Sequence, residues 1–250
     1  MSPTSSRLLG VFGLFAVFVI WWAISNSGWV TPLYLPSPEE VLLSFVKHSG
    51  DMPRHVGASM YRIAAGFAIG SSLGIVMGLF IGWNKVVGAL LEPLVEFIRP
   101  MPPLALIPLF ILWFGIGDDS KIIVIAFGSW VVLVVTTIDA VRNVDPIFIN
   151  AARLLGAKGY SIFRTILFPA ILPVIMGGLR VAAAGSFGMS VAAEFMGTSS
   201  GFGYLIIEGR RFIQTDMLLM GVFAITICSM IVNWLLKWVE RRFTRWVPRK

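Results

Sequence analysis

Cysteine and histidine are nearly missing from this chain of 250 residues, which has one cysteine, Cys228, and two histidines, His48 and His55. A lone cysteine excludes an internal disulfide, and so few ligands without metal-site spacing exclude a zinc centre or a metal hydrolase. Charge is scarce too. Asp, Glu, Lys and Arg make up 13% of the residues against 57% hydrophobic, too little polar surface to cover a soluble globule of this size. No G-x-x-x-x-G-K-[ST] segment occurs, so the chain has no phosphate loop of its own. Gly70-Ser71-Ser72-Leu73-Gly74 spells the hydrolase elbow G-x-S-x-G, but it lies inside an apolar run with no histidine placed as its base. Acids are outnumbered by bases, giving a net charge of +7. The basic residues are scattered rather than clustered with stacking aromatics, so the excess does not point to nucleic acid.

What the chain has in abundance is long apolar runs. A charge-free stretch of about 17 residues or more can cross a hydrocarbon core of about 30 Å as a helix. Six such crossings are expected, at about 8–26, 60–83, 89–115, 121–141, 169–195 and 217–238, in one all-α, polytopic membrane domain covering 1–250. Lys and Arg favour the cytoplasmic side of a membrane protein. Arg7, Lys85, Arg142, Arg153, Lys158, Arg164 and the tail residues Lys237, Arg241, Arg242, Arg245, Arg249 and Lys250 fall on one side, which is therefore expected to be cytoplasmic and to hold both termini. The opposite loops carry Lys47, Arg54, Arg62, Lys121, Arg210 and Arg211.

The segment 143–169 on the expected cytoplasmic side is a polar island between apolar runs. Asp145 suits an N-cap and Pro146 a first helical position, so a short helix should end at Gly156, where φ > 0 is accessible. A second short piece, Tyr160 to Phe168, is expected at an angle to it, closed by Pro169. The small pair Ala151 and Ala152 would let the first helix approach a partner's backbone. The alternative is an ordinary loop whose Arg153, Lys158 and Arg164 only set topology.

Elsewhere, Ser37 and Glu40 have capping-box spacing around Pro38, predicting a short helix on the outer surface with Val41, Leu42, Phe45 and Val46 as its apolar face. Gly66, Gly70, Gly74, Gly78 and Gly82 form a four-residue stripe for close helix packing, within the chain or between two copies. Pro100, Pro102, Pro103 and Pro108 must bend or break the third crossing. Glu96 and Arg99, three apart, can pair or line a path. Arg180 is the one charge inside the fifth crossing, so it should face water, the bundle interior or a carboxylate such as Glu194, Asp139 or Glu96. Arg210 and Arg211 lie in the last outer loop.

Asn150-Ala151-Ala152 with Gly156, Ile166 and Pro169 resembles the cytosolic E-A-A…G…I-x-L-P loop of ABC importer permease subunits, with Asn150 in place of the glutamate and Phe168 in place of the leucine. Arg99-Pro100-Met101-Pro102-Pro103, Trp113-Phe114-Gly115-Ile116-Gly117, Gly178-Leu179-Arg180 and Ala192-Ala193-Glu194 extend the resemblance to the nitrate, sulfonate and taurine subgroup over nearly the whole chain. It implies a type I importer permease fold with six transmembrane helices in a bacterial inner membrane. It also implies a second copy of the chain, two ATP-binding subunits, a periplasmic substrate-binding protein and membrane lipid as partners. The subunit is then not an enzyme, and ATP and Mg belong to the partner ATPase. Asn150, Ala151, Ala152, Arg153, Gly156, Ala157, Ile166 and Pro169 are the expected ATPase-coupling residues. Glu96, Arg99, Met101, Arg180, Glu194, Arg210 and Arg211 are the candidates for the substrate pathway. The expected substrate is a small organic anion or zwitterion, taurine or another sulfonate foremost, with nitrate or bicarbonate as the alternative. An ion-coupled secondary transporter is the rival class, but no convincing repeat between the halves supports it.

Overall fold

The computed structural model describes residues 3–246. Arg249 and Lys250 lie outside them, as does the side chain of Arg7. The described chain is helical: α1 (Pro3–Asn26), α2 (Pro38–Lys47), α3 (Met52–Trp83), α4 (Lys85–Ile98), a 3₁₀ turn (Pro103–Leu106), α5 (Ile107–Phe114), α6 (Asp118–Arg142), α7 (Pro146–Leu154), α8 (Tyr160–Ile162), α9 (Phe168–Phe195), α10 (Phe202–Arg211) and α11 (Thr215–Phe243).

The glycine stripe decides the architecture. Along α3, Gly66 meets Ile122 and Ile125, Gly70 meets the carbonyl of Ala126, Gly74 meets Trp130 and Leu133, Gly78 meets Val134 and Thr137, and Gly82 meets Val141. Both numbers rise together, so α3 and α6 run parallel, in contact backbone to backbone, and the stripe packs within the chain. A Cβ on Gly70 would lie 2.1 Å from the Ala126 carbonyl oxygen, so only glycine permits this approach. α9 runs antiparallel to α6: Thr136 abuts Gly178, and Ser129 shares a 3.0 Å hydrogen bond with Ser186. Leu133, Val141, Leu167, Ile171 and Ile175 fill the space between these three helices.

Two parallel helices require a return crossing, and α4 with α5 provides it in two pieces bent by 82°. At the break Pro102 and Pro103 withhold N–H groups that a straight helix would need. The run 89–115, expected as one crossing, is thus two helices with a sharp bend between them. Four further helices or helical runs, 52–83, 118–142, 160–195 and 215–243, are long and apolar enough to span a membrane, while the described apolar part of α1 covers Phe12–Asn26.

The run 160–195 corrects one sequence expectation. Tyr160 to Phe168 is not a separate helix closed by Pro169; it continues into α9. A single wider turn, Phe163–Leu167, precedes the proline, and this loosened hydrogen-bond ladder accommodates the missing N–H and the ring of Pro169.

Outside this core, α2 carries both hydrogen bonds of the expected capping box, Glu40 N–H to Ser37 Oγ at 3.3 Å and Ser37 N–H to Glu40 Oε2 at 2.8 Å. Its buried face is Val41 and Ser44 with Phe45 partly buried, whereas Leu42 and Val46 are exposed. Val41 packs with Leu205, Met217 and Met220, and Trp21 of α1 stacks on Phe223 of α11. Trp22 Nε1 donates to Glu39 at 2.8 Å. The helix therefore ties α1 to the bundle.

Gly70→Ala is expected to cost about 1–3 kcal/mol through overpacking against the Ala126 carbonyl, read as a lower thermal midpoint of the purified protein in detergent. Gly57→Ala, where nothing lies within 4 Å of the added carbon, should leave the midpoint unchanged or raise it. Equal behaviour of the two variants would contradict the α3–α6 contact.

Candidate functional site

Because α3 and α6 are parallel and α9 antiparallel, the bundle has two chemically different ends. One holds Trp83, Arg142 and the segment α7–α8. There Asp145 Oδ1 accepts the Ile147 N–H at 2.9 Å and Pro146 occupies the first turn, so α7 starts where the sequence predicted. Its end is a Schellman closure. Gly156 has φ +87°, the Ala157 N–H reaches the Ala152 carbonyl and the Gly156 N–H the Arg153 carbonyl, each at 3.0 Å. The elbow is pre-formed by its own backbone.

Its surface is unusual. Leu154 and Leu155 are each 89% exposed, and Ile147, Phe148 and Tyr160 also project outward. Asn150, Ala151, Arg153 and Gly156 are exposed, while Ala157, Ile166 and Pro169 are half-buried. Ala152 faces inward and is buried, so of the small pair only Ala151 is available to a partner. Arg142 grips Glu92 of α4 with both terminal nitrogens, the Nη2 contact being 2.6 Å, which pins α4 to the base of the elbow.

At the opposite end lies a buried polar cluster. Glu194, 2% exposed near the end of α9, accepts on Oε1 from Ser59 Oγ at 2.7 Å, Arg62 Nη1 at 2.9 Å and Ser190 Oγ at 3.2 Å. Its Oε2 accepts the Gly203 N–H at 2.7 Å. Arg62 also donates from Nε to Asp118 Oδ1 at 2.7 Å and from Nη1 to the Ser200 carbonyl at 2.8 Å. Ser59 Oγ accepts from the Phe202 N–H, and His55 Nδ1 from the Gly201 N–H. Side chains of α3 and α9 thus satisfy the orphan N–H groups at the start of α10. Gly201, φ +128°, and Gly203 leave room for the carboxylate: a Cβ on Gly201 would meet Glu194 Oε2 at 2.4 Å. Lys121 completes this end, donating to the carbonyls of Ile116 and Gly117 at 2.6 and 2.9 Å.

Beside the cluster a cavity of about 480 Å³ opens, lined by His48, Asp51, Arg54, His55, Tyr204 and Glu208 among others. His55 and Tyr204 stack face to face with centroids 5.4 Å apart. A hydrogen bond to Glu208 holds the Tyr204 phenol above its ordinary range. The described residues contain no group of three or more His, Cys, Asp or Glu arranged to hold a metal.

The seven pathway candidates are not brought together. Glu96 and Arg99 pair at 3.5 Å on an exposed face of α4, and Met101 follows in the break. Arg210 and Arg211 are exposed at the end of α10. Arg180 sits about 21 Å along α9 from Glu194, taking 1.5 Å per residue. Its partner is Glu240 of α11 at 3.0 Å, not Glu194, Asp139 or Glu96. Sequence reasoning missed the roles of Arg62, Ser59, Asp118 and Ser190, because a charge near a helix start reads as a loop charge. The available signal was that Arg62 and Glu194 both fall inside long apolar helices, where charges need partners.

The sequence pattern of the family described as "Binding-protein-dependent transport system inner membrane component" matches residues 70–245. The chain belongs to this family. The permease is 34% identical over 232 residues to the putative aliphatic sulfonates transport permease protein SsuC of Bacillus subtilis, covering 92% of this chain and 84% of that one. It is 31% identical over 252 residues to the taurine transport system permease protein TauC of Escherichia coli, with 98% and 92% covered. Among solved structures, the permease resembles a chain of "an amino acid ABC transporter with histidines" at TM-score 0.62 and 19% identity, over 82% of this chain and 98% of that chain. A chain of the inward-facing MetNI methionine ABC transporter gives TM-score 0.56 at 19% identity, over 84% and 99%. The fold is thus that of an ABC importer permease, a multi-pass membrane subunit of a transport system and not an enzyme.

Glu194→Ala would leave the buried Arg62 with Asp118 as its one carboxylate beside the Ser200 carbonyl, and would take the Glu194 acceptor from Ser59, Ser190 and the Gly203 N–H. It should cost about 3 kcal/mol, seen as a large drop in thermal midpoint, with Glu194→Gln milder. An unchanged midpoint in Glu194→Ala would show the cluster to be energetically idle.

Proposed function

We propose that this permease forms, with a second copy, the pathway of an ATP-driven importer for small sulfonates, taurine or an alkanesulfonate. The observation that carries the motor half of this reading is the elbow: a rigid, capped unit that turns Leu154 and Leu155 outward. Together with the outward Ile147, Phe148 and Tyr160 they make an apolar surface of the kind that marks a protein partner, and the chain has no phosphate loop. The partner is a nucleotide-hydrolysing subunit, one per copy, and it supplies ATP and Mg. In this reading the elbow and both termini are cytoplasmic. α1, α3, the broken α4–α5 pair, α6, α9 and α11 are the six crossings. The opposite end, with α2 and α10, faces the periplasm and receives a substrate-binding protein.

The sulfonate assignment rests on relatives whose names carry taurine and aliphatic sulfonates. It agrees with the chain's excess of cationic residues over acids, 20 to 13. ATP binding closes the motor subunits, the docked elbows move with them, and α6 and α9, which emerge from either side of the elbow, transmit the displacement to the far end.

Leu155→Asp is expected to abolish copurification of the ATPase subunit while leaving the thermal midpoint of the isolated permease unchanged, since the side chain touches little of its own chain. Retained copurification would contradict the docking role of the elbow. In proteoliposomes containing the ATPase and binding protein, taurine or an alkanesulfonate should stimulate ATP hydrolysis and nitrate should not. The reverse pattern would overturn the substrate and leave the motor reading standing.

A further inference from the structure

Arg180 is costly where it stands. It lies twelve residues into α9, between Gly177 and Ala184, on a helix whose other residues from Phe168 to Ala193 are uncharged. A guanidinium facing hydrocarbon at that depth is strongly unfavourable, and its side chain is nonetheless 33% exposed. It lines an open cavity of about 550 Å³ between α9 and α11, whose wall is completed by Gly177, Val181, Ala184, Ser229, Met230 and Asn233. Beside the apolar Val181 and Met230 this wall presents an arginine, an amide and a hydroxyl, a mixed surface that suits a solute with a charged head and a short apolar body better than lipid tails alone.

The guanidinium is only partly engaged. Nη1 donates to Glu240 Oε2 at 3.0 Å and Nε makes a long 3.5 Å contact with Asn233 Oδ1, while Nη2 has no hydrogen-bond partner among the described residues. Glu240 is itself 27% exposed, one and a half to two turns beyond Asn233 toward the elbow end of α11. A partly exposed carboxylate on one arm of a guanidinium fork is in the position an anionic ligand would take.

We propose that Arg180 is a transient binding site for the sulfonate group of the cargo, and that Glu240 is its built-in competitor, occupying the fork when no cargo is present. This rests on the pathway reading above and names the residue and the group it receives. A sulfonate presents oxygens to two N–H groups of the fork, as carboxylates and phosphates do. Small side chains at 177 and 184 leave room for its body, and Ser229 and Asn233 offer further polar contacts. Release toward the cytoplasm follows when Glu240 reclaims the arginine, so the site binds weakly by construction, as a pathway requires.

The test uses the assembled complex with its ATPase in lipid nanodiscs, in a Cys228→Ser background carrying Ser229→Cys, with Ala184→Cys as a second reporter on the facing wall. Each reporter is treated with methanethiosulfonate reagents of equal reach, one bearing a sulfonate and one a quaternary ammonium. The sulfonate reagent should react faster, by about tenfold for a cation a few ångströms away in a partly screened cavity. The preference should vanish in Arg180→Gln and grow in Glu240→Gln, and free methanesulfonate should slow the reaction. Absence of labelling at both reporters, a preference indifferent to Arg180, or protection by added anionic phospholipid but not by methanesulfonate would overturn the proposal. Copurification of the ATPase, scored on the same preparations, reads the importer assignment separately.

Discussion

The backbone contact between α3 and α6 is the constraint on which the remaining structure depends. Once five glycines bring two long helices together in parallel register, the chain between them must recross the same thickness in thirty-odd residues. It must also turn at both ends. The broken α4–α5 crossing is the result, and its prolines are tolerable because the break is held against α6 and α9. The same register puts the elbow at one end of the bundle and the Glu194 cluster at the other. A side-chain interface could slip by a fraction of a turn; this one cannot, since any smaller shift drives side chains into backbone.

That rigidity bears on how force reaches the far end. The elbow is joined to α6 by a short turn and to α9 through a continuous helical run, with a single wide turn before Pro169. Pull on the elbow is therefore delivered to two helices that are already locked to α3. At the opposite end these three helices share one electrostatic cluster, in which Arg62 and Glu194 hold the start of α10. Buried charges of this kind contribute less to net stability than their short distances suggest, because each is removed from water. Their value is directional: they fix where α10, and with it the polar cavity beside His55 and Tyr204, sits relative to the moving helices.

Much of this was legible in the residues. The capping box of α2, the N-cap and left-handed glycine of the elbow, and the proline break are local features, and local hydrogen bonding decided them. The glycine period told that a close contact exists, but not its partner, because nothing in a single helix says what fills the groove it leaves. Arg62 and Asp118 were illegible as a site for the same reason: they meet Glu194 only when α3 and α6 are parallel. Arg180 was recognisable as a charge in need of company, yet nothing in the sequence singles out Glu240, sixty residues on and set among Lys237, Arg241 and Arg242, as its partner. The π-like turn before Pro169 replaced a predicted helix end, since a proline in a first turn removes no hydrogen bond that the widened ladder still needs.

The claim most exposed to experiment is that the elbow moves together with the α3–α6 pair as one body. Pulsed electron spin resonance of the assembled complex can measure it, with labels at residues 57 and 148 of one copy in a Cys228→Ser background, with and without bound ATP. The account predicts one narrow distance that stays the same in both states. A shift of about 5 Å, a full helical turn, would mean that the elbow slides against the bundle, and that the glycine contact is not what carries the motor's work across the membrane.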